Sequence, residues 1–264
     1  MVLLDNKHII QCFNIYINKI ITPLIGGFLL PIFMFMSDIK VIVYSANIGG
    51  YDNFIPLTNY DPNVRYILFT DDNDFKSDVW EVKSVDFLND KLDNRKKARY
   101  IKMNPHLVLP PHDISIWVDH CLEPKFTDVN ELLKEINFGN SSVMCFPHPE
   151  RDCIYDEGQV VLILKLDYPE IVNKQMNKYH SMSFPRNYGL FETGFMVRKN
   201  NLKSTMFNES WWKEISKNSG RDQLSQMFVS WSIGVDVKPI LNCGEISENK
   251  FISEKIKHKN PFKV

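Results

Sequence analysis

From residue 39 onward, short apolar runs alternate with segments of helical periodicity. Residues 39–45 (IKVIVYS) and 64–70 (VRYILFT) are nearly continuous in apolar side chains, the pattern of strands covered on both faces. Residues 79–85 (VWEVKSV) alternate apolar and polar positions and predict a less buried strand. Residues 114–118 (ISIWV) and 142–146 (SVMCF) read as short buried strands, and residues 235–241 as a last one. Residues 189–198 (GLFETGFMVR) predict a strand bent at Gly194. Between the strands, residues 93–103 (DNRKKARYIKM) predict a basic helix, N-capped by Asp93 and ended by Pro105. Residues 127–136 predict a helix capped by Thr127 or Asp128. Residues 156–182 read as helical, with a second helix beginning after Pro169 and with Gln159, Val160, Ile163, Leu164 and Leu166 near one face. Helices over 210–217 and 222–232 complete the pattern. This order predicts one α/β domain over residues 38–264, with a mixed, mainly parallel sheet flanked by helices.

Residues 1–37 stand apart. Lys7 and Lys19 precede an uncharged run at residues 20–36, broken by Pro23, Gly26, Gly27 and Pro31. Positive charge ahead of an apolar run is the pattern of a single-pass signal-anchor with a cytoplasmic N-terminus, which implies membrane association through residues 20–36. A buried or loose N-terminal extension of a cytoplasmic protein, and a natural start at Met36, are the alternatives. The run is short of the roughly 20 apolar residues that span a bilayer.

Composition narrows the function. A net charge of −1 argues against a nucleic-acid binder. The five cysteines are scattered, with no Cys-x-x-Cys, which argues against a zinc knuckle or a thioredoxin-like site. No GxGxxG, Walker, GxSxG or HExxH motif occurs.

In open α/β sheets, ligands collect at the carboxyl ends of the strands. The first strand runs into Gly49, Gly50 and Tyr51, where the glycines permit close backbone approach and the ring offers a base a stacking surface. The second runs into Asp71 and Asp72, suited to a ribose hydroxyl or equally to a turn. Residues 116–118 deliver Asp119 to the end of a buried strand, a candidate ligand for a Mg²⁺ or Mn²⁺ ion that bridges a diphosphate. The next residues are His120 and Cys121, so a second carboxylate is missing and His120 is the substitute candidate. Arg95, Arg99 and Lys102, spaced i, i+4, i+7, share one helix face and are suited to neutralise a departing diphosphate. A solvated face is the plain alternative. Further on, His148, Glu150 and Arg151 follow a strand, Glu157 opens a helix, Glu192 sits within a strand, and Arg221, Asp222 and Gln223 open the last helix, where Asp222 is also a natural N-cap.

The segments IGGYD, YILFTDD, RKKARYIKMNPH, SIWVDH, FPHPERDCIYDE, LFETGFMVRKN, WWKEI and RDQLSQMFVSW occur in this order. Together they resemble the glycosyltransferase-like domain of plant mucilage-biosynthesis and turgor-regulation proteins, over roughly residues 39–239. The resemblance implies an A-type glycosyltransferase fold and transfer of a sugar from a UDP- or GDP-sugar to a glycan or other hydroxyl acceptor, assisted by Mn²⁺ or Mg²⁺. Gly49, Gly50, Tyr51 and Asp71 would line the nucleotide, and Arg95, Arg99 and Lys102 would face its phosphates. Asp119 would be the metal- or sugar-facing carboxylate. His148, Arg151, Glu157, Glu192, Arg221, Asp222 and Gln223 would surround donor sugar and acceptor. Two alternatives stay open: a lipid amidase resembling a ceramidase, and a nucleotide-sugar-binding protein without turnover.

Overall fold

The computed structural model describes residues 39–254, except 55, 137 and 241–248. The apolar run at 20–36, the start at Met36, Cys12, Cys243 and the end of the strand expected at 235–241 lie outside the described residues.

The chain forms a seven-stranded sheet in the order β3-β2-β1-β4-β7-β6-β8. The strands are β1 (Val41–Asn47), β2 (Arg65–Thr70), β3 (Trp80–Ser84), β4 (Ile114–Val118), β6 (Val143–Pro147), β7 (Phe191–Lys199) and β8 (Val237–Pro239). β7 runs antiparallel to both of its neighbours, and all other pairs are parallel. The helices are α1 (Asn94–Met103), α2 (Pro105–Val108), α3 (Val129–Glu135), α4 (Ile154–Ile163), α5 (Pro169–Ser181), α6 (Leu202–Lys217) and α7 (Gln223–Ile233).

The near-continuous apolar strands are buried on both faces, as their composition requires. On β1, Ile42, Tyr44 and Ala46 pack with residues of α1, α6 and α7, such as Ile101, Trp211 and Phe228. Val41 and Val43 point the other way, to a second core with Leu132 of α3, Phe126 and Phe251. β3, the alternating strand, lies at the sheet edge, and its last two residues are exposed. The bend expected at Gly194 is a register break between β6 and β7, where consecutive Cys145 and Phe146 pair with Met196 and Glu192.

α1 begins where its cap signal stands: Asp93 accepts a hydrogen bond from Lys96 N at 2.7 Å. Asn104 caps the other end, and Pro105 takes the first position of the one-turn α2. α6 begins at Leu202, well before residue 210, because Asn201 and Ser204 form a reciprocal capping box.

The apolar face expected from Gln159, Val160, Ile163, Leu164 and Leu166 is not the one buried. α4 buries Ile154, Glu157, Gly158 and Val161, whereas Ile163 and Leu164 are exposed. Gly158 lies on this buried face, where a Cβ would stand 3.2 Å from Met176 of α5. A short antiparallel pair, β5 (Leu122–Pro124) and β9 (Ile252–Glu254), completes the described structure. At three residues each, these strands leave no periodicity for a sequence to show.

Candidate functional site

The topology gathers the candidate residues on one edge of the sheet. β1, β2, β4 and β6 all point the same way, so the Gly49 loop, Asp71, Asp119 and His148 follow strands that end at a common edge. β7 runs in the opposite sense, which puts its first residues, including Glu192, at that edge too, opposite the end of β6.

On the β1–β2 side, the loop is fixed by the chain's own backbone. Gly49 N donates to both carboxylate oxygens of Asp71 at 2.9 Å. Gly49 has φ +73°, which favours glycine, and a Cβ there would stand 2.1 Å from Asn94 Nδ2, so the Asn94 side chain would have to move as well. Tyr51 is exposed. Beside this loop lies a cavity of about 200 Å³ whose lining includes Asn47, Asp52, Phe54, Thr70, Asp72 and Phe75. Phe54 and Phe75 meet edge to face with centroids 4.3 Å apart. His120, the substitute ligand of the sequence reading, is stacked against Phe54 at 5.9 Å.

On the β4–β7 side, the site is built from buried charge. Asp119 directly follows β4, its backbone N–H donating to Gly194 O at 2.7 Å. Gly194 permits this approach, because a Cβ there would lie 3.4 Å from Asp119 Oδ2 and 3.0 Å from Leu122. Asp119 Oδ1 accepts from Trp117 Nε1 at 2.6 Å and from Lys102 Nζ at 3.3 Å. Lys102 Nζ also donates to Asp222 Oδ2 at 2.6 Å, and the lysine side chain is wholly buried. Arg99 lies 3.4 Å from the same Asp222 oxygen and donates through Nε to Gly220 O.

Asp222 therefore does not act as a side-chain N-cap; its carboxylate serves the cations instead. Burial works against its charge, but Arg99, Lys102 and Arg221 outweigh burial and hold its carboxyl well below the usual carboxylate range. Burial also opposes the charge of Arg99, yet Asp222 and Asp119 raise its pKa. For Arg221, burial prevails and the pKa is lowered, with repulsion from Arg99 and Arg95 adding to it and Asp222 opposing.

The helix face of the sequence reading is thus real in spacing but divided in role. Lys102 is internal, Arg99 is mostly covered, and Arg95 reaches away toward Asp167 at 3.9 Å and Leu166 O at 3.5 Å. The segment that carries Asp222 is held from behind as well. Gln175 accepts from Ser219 N at 3.1 Å, and Ser219 Oγ donates to Asp167 at 2.6 Å. Gln175, Asp167 and Ser219 were missed in the sequence because polar residues on helices and loops show their partners only after folding.

A third group follows β6. His148 Nδ1 accepts the backbone N–H groups of Glu150 and Arg151, both at 3.2 Å. Burial, then the Arg151 charge, lowers the His148 pKa, which favours the neutral ring. Arg151 Nε donates to the buried Glu157 at 2.8 Å, and Glu157 Oε2 lies 3.9 Å from His148 Nε2. Gln223 donates to Phe191 O at 3.3 Å, tying α7 to the start of β7. Glu157 is close enough to bias Arg221, so this group and the Asp222 cluster adjoin.

The residues around Asp119 do not fit a resident Mn²⁺ or Mg²⁺ ion. Asp119 and Asp222 come from different elements, and the place between them is held by the Lys102 ammonium. Among the described residues, no three His, Cys, Asp or Glu side chains gather into a metal-ligating group. Among the described residues, too, no helix is long and apolar enough to cross a membrane. Among the described residues, Cys121, Cys145 and Cys153 are buried and form no disulfide.

No curated protein matches the chain. Among solved structures, the chain is similar to the WbbM bifunctional glycosyltransferase in its apo form, with a TM-score of 0.41 and 16% identity. The alignment covers 86% of this chain and 48% of that one, so the chain spans about half the length of that structure. The profile of the TOD1/MUCI70 glycosyltransferase-like domain matches residues 69–258, well over half of the sequence and from the end of β2 onward. The chain belongs to the TOD1/MUCI70 glycosyltransferase-like domain family.

Proposed function

We propose that the chain is a glycosyltransferase that moves a sugar from a UDP- or GDP-sugar to a hydroxyl of a glycan or other acceptor. The observation that carries this reading is the convergence at one sheet edge of Asp119 with a cluster in which Arg99, Lys102 and Arg221 outnumber Asp119 and Asp222. A surplus of fixed positive charge beside a carboxylate suits a reaction whose leaving group is a nucleoside diphosphate.

The nucleoside fits the β1–β2 side. The cavity with Phe54 and Phe75 offers aromatic edges and the polar groups of Asn47, Asp52 and Asp72, and the Gly49–Asp71 contact makes its rim rigid. The acceptor fits the β6–β7 side, near His148, Glu157 and Glu192. In the reaction, the bond from the sugar's anomeric carbon to the β-phosphate oxygen breaks and its electron pair leaves with the diphosphate. The acceptor oxygen forms the new bond and loses its proton. Holding donor and acceptor in line supplies much of the rate. Asp222 is a poor base for that proton, since the cations keep it ionised and bound. Glu192, partly exposed opposite Phe146, is the better-placed carboxylate for an inverting course.

Thermal denaturation of the full chain with UDP, GDP and their sugar conjugates tests the donor site. At a ligand concentration ~100-fold above its dissociation constant, binding adds about 2.7 kcal/mol of stability. A shift with one nucleoside diphosphate is expected and names the base. No shift with any of them would reject the reading. A shift without sugar transfer or nucleotide release on any acceptor would favour a binding protein.

A further inference from the structure

The donor reading leaves open what neutralises the diphosphate, and the buried charges answer it. We infer that in this chain side-chain cations take the place of a divalent ion, with Lys102 as the fixed cation between Asp119 and Asp222 and with Arg221 as the guanidinium that meets the phosphates. This rests on the nucleotide-sugar reading above and specifies how its site works.

Three observations carry it. First, the Lys102 ammonium stands 2.6 Å from Asp222 and 3.3 Å from Asp119, with no exposed surface. Two carboxylates that converge on one point from β4 and from the start of α7 make a cation site, and the chain fills it itself. A divalent ion on Asp119 would sit beside an ammonium that has no open route out.

Second, Arg221 is half-buried and within the electrostatic reach of Asp222, Arg99 and Arg95, yet among the described residues its guanidinium makes no hydrogen bond or ion pair. Its backbone N–H is the part that is bonded, to Ser219 Oγ at 3.0 Å. A covered guanidinium without a partner is costly unless an anion completes it. Its fork of donors suits a phosphate.

Third, the balance of the cluster is positive. Arg99, Lys102 and Arg221 stand against Asp119 and Asp222, and Arg95 adds to the field on Arg221 while its own nearest carboxylate is Asp167. Asp222 then serves as an internal counter-ion that keeps Lys102 and Arg99 in place until the donor arrives.

Calorimetric titration of the full chain with UDP and with GDP, each in EDTA and in Mn²⁺, separates the possibilities. The expected result is one nucleotide whose dissociation constant agrees within about twofold between the two buffers. Arg221→Gln should weaken it by more than about tenfold in both, since a charged hydrogen-bond donor is lost. This variant removes no side-chain hydrogen bond or ion pair among the described residues, so it keeps the test valid if variants at Lys102 fold poorly. Lys102→Met should weaken binding in EDTA and make it respond to Mn²⁺, because the pair of carboxylates is then left for the metal. Binding by the wild-type chain only in Mn²⁺ would overturn the inference while sparing the donor reading. An unchanged dissociation constant in Arg221→Gln, or metal-free binding of wild-type strength in Lys102→Met, would also overturn it. No binding in either buffer would reject the donor reading and this inference together.

Discussion

Around Gly49 the carboxyl edge is held by backbone: two hydrogen bonds from one N–H to Asp71, a left-handed glycine, and an asparagine packed where a side chain would be. Around Asp222 it is held by side-chain charge, with a wholly buried lysine, a mostly covered arginine and a carboxylate shared between them. The first region is open to solvent at Tyr51, and its shape depends on what glycine allows. The second is mostly buried, with the Asp119 side chain still 29% exposed, and its shape depends on charges that pair with one another. The proposed task, admitting a neutral base while holding a polyanion, gives reason to use both constructions. Backbone gives a rigid rim at little electrostatic cost, and buried cations give a field that water does not screen.

The largest expected effect lies in the charged region. Asp222→Asn should destabilise the fold by about 3–5 kcal/mol in urea denaturation, because Lys102 and Arg99 lose their counter-ion in a buried place. A loss below about 1 kcal/mol would show that the cluster is more hydrated than its burial implies. The sign with pH follows from the same group. Its folded pKa is depressed, so its contribution is complete above the unfolded value of about 3.9 and is lost as pH falls from there toward the folded value. The variant should lose that acid-side slope.

The backbone region gives a smaller, graded effect. Gly49→Ala combines a positive φ with a clash at Asn94 and should cost about 1–3 kcal/mol. Gly50→Ala has φ +59° but meets no atom within 4 Å, and should cost about 1 kcal/mol. Equal losses at the two positions, read from the same denaturation curves, would show that the rim adapts to a side chain. The smallest effect belongs to Arg95, at the outer end of the basic helix. Its ion pair with Asp167 is long and its side chain is one-third exposed, so Arg95→Ala should change stability by less than about 1 kcal/mol.

This contrast also explains what the sequence disclosed. Strands such as β1, β2 and β4 are readable because burial on both faces demands unbroken apolar runs. Asp119 is readable because it follows such a run. The Asp93 cap and the Gly49–Gly50 turn are readable because local chemistry requires them. Lys102 is a different matter. In the helix pattern it is one more cation on a charged face, and only the approach of β4 and α7 turns it into the least exposed group of the site. Asp222 looks like an N-cap at a helix start, and only the presence of Lys102 and Arg99 takes its side chain elsewhere. The buried face of α4 has a similar origin: a helical pattern gives several apolar stripes, and packing against α5, with Gly158 beside Met176, decides which one is buried only after folding. Contacts distant in sequence, such as Gln175 with Ser219, leave no local signal at all.

The most direct test of the donor site is nucleotide release. The full chain and Asp119→Asn would be incubated with the nucleotide-sugar that gives the largest thermal shift, and free nucleoside diphosphate would be measured over time. The expected result is turnover by the wild-type chain and a fall of about 10²-fold or more in the variant, the scale seen when one preorganised polar group is removed from an active site. Turnover undiminished in Asp119→Asn would contradict the assignment of Asp119, and with it the placement of the reaction at the end of β4.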